Sequence, residues 1–252
     1  MKKIIYFFIV ALIVVSSCSK SDNELYSTPV EIVEAKVENA SKLSNIAVVK
    51  LVVYDRNNNY IELARGDWNN GNFTIEFPKT LDPNHLYALI DKSRWQPTIM
   101  NTPPTLIISK KNVKVWNAQF LGVDKDGNAV TRIFPFEIDK DGNEKSVFYT
   151  YVDSDVIISG YTKRGEGTAI DTEFHNELFR VINLLPHPIR FNKIITNYSI
   201  GWKKGWNIWT FSRSIPIPID GTLTEEWLPT TISKLKWYSP EDFWNRNLYD
   251  RR

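Results

Sequence analysis

The chain has 252 residues, with hydrophobic residues at 42% and charged residues at 24%, both near the averages for soluble globular proteins. Eleven Gly and 13 Pro exclude a collagen-like or low-complexity chain, a single Cys excludes an internal disulfide and a Cys-based zinc site, and three scattered His leave little room for a His-rich metal site. The composition departs from the ordinary in its aromatic residues, 13% of the chain with nine Trp.

The first residues point to a compartment. Lys2 and Lys3 precede an unbroken apolar run of 12 residues, Ile4 to Val15. That length fits the h-region of a signal peptide and falls short of the about 20 residues that a bilayer-spanning helix needs. Val15-Ser16-Ser17-Cys18 follows, and small residues before a Cys at this place resemble the lipobox of bacterial lipoproteins. The resemblance implies that residues 1–17 are a signal peptide, that cleavage precedes Cys18, and that lipidation of Cys18 anchors the chain. Several acyl chains, at about 0.8 kcal/mol per buried methylene, make such an anchor stable. Loss of Lys2 and Lys3 lowers the basic count from 31 to 29, equal to the 29 acidic residues. A neutral mature chain offers no electrostatic reason to expect nucleic acid or anionic lipid as a partner. Ser19 to Glu24 is a polar run that resembles the surface-export signal of Bacteroidetes lipoproteins, and residues 18–28 are expected to form the lipidated Cys and a flexible tether.

The body reads as short strands separated by turns, an all-β pattern. Val33, Ala35 and Val37 alternate with charged residues, as on a half-buried strand. Val49, Leu51 and Val53 repeat the pattern, and Tyr60 to Ala64 runs back after the turn at 55–59. A turn around Trp68 leads to Phe73, Ile75 and Phe77, which alternate until Pro78; Leu86 to Ile90 and Leu106 to Ile108 follow. These make a first β-sandwich unit over 29–110, immunoglobulin- or transthyretin-like, with a Pro-bearing loop at 91–104.

Longer hairpins fill a second β-sandwich unit, 111–252. Val113 to Gly122, Ala129 to Ile138 and Ser146 to Val152 are joined by Asp124-Lys125-Asp126-Gly127-Asn128 and Asp139-Lys140-Asp141-Gly142-Asn143. Asp-Gly between β-rich runs is a strong hairpin signature. Val156 to Tyr161 is a further strand, and the spacing of Phe174, Leu178 and Ile182 predicts a short helix over 172–184. Ile194 to Trp202 and Trp206 to Ser212 are expected to pair as a hairpin across Lys203-Lys204-Gly205. Ile232 to Tyr238 makes a last strand, and Ser239-Pro240-Glu241 has the cap chemistry of a short C-terminal helix.

Several of these segments carry a resemblance. Gly66-Asp67-Trp68, the two Asp-Lys-Asp-Gly-Asn turns, Tyr151 to Val156, Trp202 to Asn207 and Leu235 to Tyr238 resemble uncharacterised surface lipoproteins of Bacteroides and relatives. The resemblance covers most of the mature chain and implies an all-β protein on the outer envelope. It implies no activity, so it transfers no catalytic residue.

Candidate sites are few. Asp124, Asp126, Asp139 and Asp141 have the chemistry of calcium ligands, but each Gly comes at position 4 and the twelfth positions are Pro135 and Thr150, where an EF-hand needs Gly at 6 and Glu at 12. Hairpin tips account for them, and a strand start accounts for Asp153 and Asp155. The aromatic cluster Trp202, Trp206 and Trp209, with Tyr198 and Phe211, is the unusual local feature. By strand parity Trp206 and Trp209 face opposite ways, so the rings either stack on sugar ligands at the surface or are covered on both sides. Trp202 and Trp206 are expected to be buried and Trp209 exposed.

No catalytic constellation is legible. His85, His175 and His187 have no metal-ligand spacing, no Ser sits in a nucleophile elbow, and no Gly-rich phosphate loop follows a strand. Neither cofactor nor metal is expected. The leading expectation is a non-enzymatic, lipid-anchored protein of the outer membrane, at the cell surface or on the periplasmic face, with a binding or structural role. Alternatives are a glycan-binding lipoprotein of a polysaccharide uptake system and a pilin-like or adhesin subunit assembling by strand exchange with other envelope proteins.

Overall fold

The computed structural model describes residues 25–55, 59–90, 105–138, 144–164, 167–168, 190–191, 193–213, 222–230 and 235–239. The signal peptide expected over 1–17, Cys18, the turn expected at 139–143 and the helices expected over 172–184 and from Ser239 all rest on residues outside the described ones, Ser239 excepted. Within them the chain is all-β, with 16 strands and two short 3-10 turns, Ala40–Leu43 and Pro83–His85.

The first strands are β1 (Ile32–Lys36), β2 (Val48–Tyr54), β3 (Tyr60–Asp67), β4 (Asn72–Glu76), β5 (Tyr87–Ala88) and β6 (Leu106–Ile108). The long ones follow: β7 (Lys114–Val123), β8 (Ala129–Ile138), β9 (Glu144–Val152) and β10 (Val156–Arg164). After the short pair β11 (Gly167–Thr168) and β12 (Arg190–Phe191) come β13 (Lys193–Trp202), β14 (Gly205–Arg213), β15 (Thr222–Pro229) and β16 (Leu235–Tyr238).

One large sheet runs β3-β2-β7-β8-β9-β14-β15-β13-β10-β6, with β5 beside β7 and β16 beside β8. Two separate units divided at residue 110 are therefore not what forms. β2 pairs along β7 from Val48↔Val123 to Val52↔Gln119, and β6 pairs with β10 through Ile108↔Ile158. Alternation identifies a strand and its buried face but leaves its hydrogen-bonding partner open, so a boundary placed by sequence rhythm alone fell between strands that pair.

Alternation does predict β1 and β4. Val33 and Ala35 of β1 and Phe73 and Ile75 of β4 are buried while their neighbours are exposed. The two strands pair from Ile32↔Glu76 to Lys36↔Asn72 and lie over the large sheet, so that their apolar faces meet Val49, Leu51, Phe120, Tyr149 and Trp206 in a first core. Gly66 permits this layer to close: a Cβ there would stand 2.0 Å from the carbonyl oxygen of Thr74 in β4. β3 consequently runs on to Asp67, beyond the end expected at Ala64, and the turn is confined to 68–71.

A second core lies on the other side of the large sheet. Tyr198, Ile200 and Trp202 of β13 meet Val156 and Ile158 of β10, Leu106 and Ile108 of β6, Val113, Val115 and Trp209 there. Strands β9 and β14 contribute to both cores. Their register, Trp206↔Tyr151, Ile208↔Tyr149 and Trp209↔Phe148, sends alternate residues to opposite faces, and both faces are covered.

The expected hairpin of β13 with β14 does not form. The 203–204 turn connects them, but β15 lies between, parallel to β13 from Lys193↔Thr222 to Tyr198↔Trp227 and antiparallel to β14 from Trp209↔Pro229 to Arg213↔Glu225. β15, which the sequence reading did not anticipate, carries adjacent acidic residues, Glu225 and Glu226. Glu225 is buried nonetheless and accepts a hydrogen bond of 2.8 Å from Thr196 Oγ1 across the pair.

Candidate functional site

The three tryptophans singled out by the sequence are placed by β13, β14 and the turn between them. Trp202 is 0% exposed, Trp206 4% and Trp209 2%. The expectation that Trp209 is exposed is thus overturned, and none of the three offers an open face for a sugar ring. Parity was read correctly, since Trp206 and Trp209 do face opposite ways. A strand shared by two cores has no solvent side.

Each ring has a defined setting. Trp206 points into the first core, its ring edge-on to Phe77 at 4.9 Å and its Nε1 donating to the Pro78 carbonyl at 2.9 Å. Trp209 points into the second, stacked between Phe148 at 4.8 Å and Trp227 at 4.5 Å. Its Nε1 donates to Thr150 Oγ1 at 2.8 Å, and that hydroxyl donates to Asn117 Oδ1 at 2.5 Å. Trp202 completes the group, 5.8 Å from Trp209 and 6.3 Å from Trp227. Trp227 was missed by the sequence reading because β15 was missed; the alternation of Leu223, Glu225 and Trp227 on one side was the available sign. In the first core, Tyr149 packs against Phe77, Phe120 and Trp237, and burial pushes its phenol far above the ordinary value.

The gap between β13 and β14 near their turn is filled by the chain's own beginning. Residues 25–30, expected to belong to the tether as far as 28, continue the lane that β15 occupies farther along. Gly201 N donates to Leu25 O at 2.6 Å, Ser27 N to Gly201 O at 2.7 Å, and Val30 N to Trp206 O at 2.9 Å. Gly201 leaves the space: a Cβ there would stand 2.8 Å from Cδ1 of the Tyr26 ring. Lys203 Nζ lies over the same ring, 3.8 Å from its centroid, and pairs with Asp155 Oδ2 at 3.1 Å. The Asp155 carboxylate also accepts from Lys204 N at 2.8 Å, and that hydrogen bond, with the Lys203 ammonium, holds its carboxyl below the usual range. Backbone, cation and carboxylate together clasp the first described residues to the 203–204 turn.

The acidic candidates are turn chemistry. Asp124 accepts at 2.8 Å from Asn128 N and 2.9 Å from Asp126 N, and Gly127 takes φ +86° to close the tip. These hydrogen bonds, led by that of Asn128, lower the Asp124 carboxyl below its ordinary value. Asp153 Oδ1 accepts from Lys114 N at 3.0 Å and binds the 153–155 turn to the start of β7. His85 lies 5.4 Å from the Trp116 ring, while His175, His187, Asp139 and Asp141 lie outside the described residues.

One concavity stands beside β3 and β4, an open hollow of about 490 Å³ lined by Arg65, Asp67, Asn69, Asn72 and Thr74. Its lining is polar, and Phe73, between Asn72 and Thr74, turns its ring away into the first core. No helix among the described residues is long and apolar enough to cross a membrane. The chain matches no protein-family model, no curated protein and no solved structure.

Proposed function

We propose that this chain is a lipid-anchored protein of the outer membrane with a non-catalytic binding or structural role, akin to the Bacteroides-type surface lipoproteins it resembles. The carrying observation is Val15-Ser16-Ser17-Cys18 at the end of the 12-residue apolar run. The clasp at Tyr26 supports it, because it leaves residues 19–24 as a short polar spacer between the lipidated Cys18 and a chain end held in the sheet. The test is Cys18→Ser in the expressing cell. Loss of fatty-acid labelling and release from the membrane fraction are expected, and persistent membrane fractionation with unchanged acyl labelling would overturn the reading.

A pilin-like or adhesin subunit is a second reading with one observation in its favour. The lane between β13 and β14 is completed by a separate segment, 25–30, of the kind a neighbouring copy can donate. A mature chain that stays monomeric in sedimentation over a wide concentration range would remove it. The glycan-binding reading loses the aromatic platform that motivated it.

A further inference from the structure

We propose that the end of the sheet bearing the 203–204 turn faces the membrane and docks on anionic phospholipid headgroups, an inference that rests on the lipid-anchored reading. Three turns meet at this end. Ile108↔Ile158 and Val156↔Trp202 bring the 109–113 and 153–155 turns beside the 203–204 turn, and Val152↔Gly205 adds the end of β9. Asp153 N donates to Lys114 O at 3.1 Å, which ties in the start of β7.

The charge gathered there is lopsided. Lys110, Lys111, Lys114 and Lys204 are exposed and Lys203 is half-exposed, against Asp153 and Asp155 among the described residues of these turns. Five lysines against two aspartates is a local excess of three positive charges that the neutral total of the mature chain, 29 basic to 29 acidic, conceals, and it corrects the expectation that no charge here favours anionic lipid. Both carboxylates are already engaged, Asp155 by Lys203 Nζ and Lys204 N and Asp153 by Lys114 N, so the local excess is carried by ammonium groups at the surface.

The place where the tether begins gives this charge a partner. Leu25 is hydrogen-bonded to Gly201, two residues before the turn, and Tyr26 lies under Lys203. Six residues, 19–24, separate Leu25 from Cys18, and the seven steps between them, at about 3.6 Å each when extended, reach roughly 25 Å at most. The anchor therefore keeps this end, and not the opposite one, near the lipid. Clustered Lys beside an anchor bind anionic headgroups within about a Debye length, roughly 8 Å at physiological salt. Neither the anchor nor the patch needs to be strong alone, because the anchor raises the effective concentration of the patch at the surface.

The test removes the anchor so that the patch is read by itself. The mature chain carrying Cys18→Ser is cosedimented at low salt with vesicles of phosphatidylglycerol and, separately, of phosphatidylcholine. Binding to phosphatidylglycerol alone, weakened by added salt, is expected. Lys110→Gln, Lys111→Gln and Lys204→Gln should each weaken it about fivefold, the usual worth of a basic residue near an anionic surface. Lys125→Gln, at the far end of β7, should leave it unchanged. Circular dichroism and melting temperature confirm that each variant is folded. No binding to phosphatidylglycerol, equal binding to both lipids, or the same loss from Lys125→Gln would overturn the docking surface. None of these results depends on acylation, so failure here is distinct from failure of the Cys18 test in cells.

Discussion

Trp209→Ala tests the two-core arrangement at the strand both cores share. The ring is 2% exposed, stacked between Phe148 and Trp227, and its Nε1 donates to Thr150 Oγ1. Truncating a buried Trp costs about 3–5 kcal/mol through lost transfer energy and the cavity left behind. The lost hydrogen bond contributes about 1 kcal/mol within that range. With a urea m-value near 3 kcal/mol/M, the upper end for small domains, the unfolding midpoint should fall by about 1–1.7 M with m unchanged. Trp209→Phe keeps most of the stacking and loses the N–H, so its cost should be nearer the hydrogen bond alone. Because β9 and β14 line both cores, far- and near-ultraviolet circular dichroism should report one coincident transition. A Trp209→Ala variant within about 0.5 kcal/mol of the parent, the range of surface substitutions, would refute the buried setting. It would return this ring to the list of exposed sugar-stacking surfaces.

Two further outcomes are expected. Gly66→Ala should destabilise by about 1–3 kcal/mol, the usual cost of overpacking, because its Cβ has no room before the Thr74 carbonyl; an unchanged urea midpoint would show that β3 and β4 are not so closely apposed. Asp155 has its folded-state carboxyl held below the ordinary value, so its stabilisation is present above the unfolded pKa and is lost as pH falls through the folded one. The stability gap between parent and Asp155→Asn, at most about 1 kcal/mol for an exposed, screened pair, should therefore be full at neutral pH and shrink below about pH 4. A gap that widens on acidification, followed by urea titration at each pH, would contradict the clasp.

The amino-acid order alone determined the strands whose two sides differ. β1 and β4 alternate apolar with polar or charged residues because one face meets the first core and the other meets solvent, and the Asp-Gly turn at 124–128 was legible because its Asp and Gly satisfy the tip locally. The opposed directions of Trp206 and Trp209 were equally plain, since side-chain parity is a local property of any strand. What covers each side is not local. Trp209 is buried by Trp227 from β15, a strand with adjacent glutamates whose buried Glu225 accepts a hydrogen bond from Thr196 of β13 opposite. The same holds for residues 25–30, of which 25–28 were expected to continue the polar tether of 19–24. Tertiary structure made them part of the sheet, because the strands joined by the 203–204 turn part around β15 and leave backbone groups at Gly201 and Trp206 that only another segment of chain can satisfy.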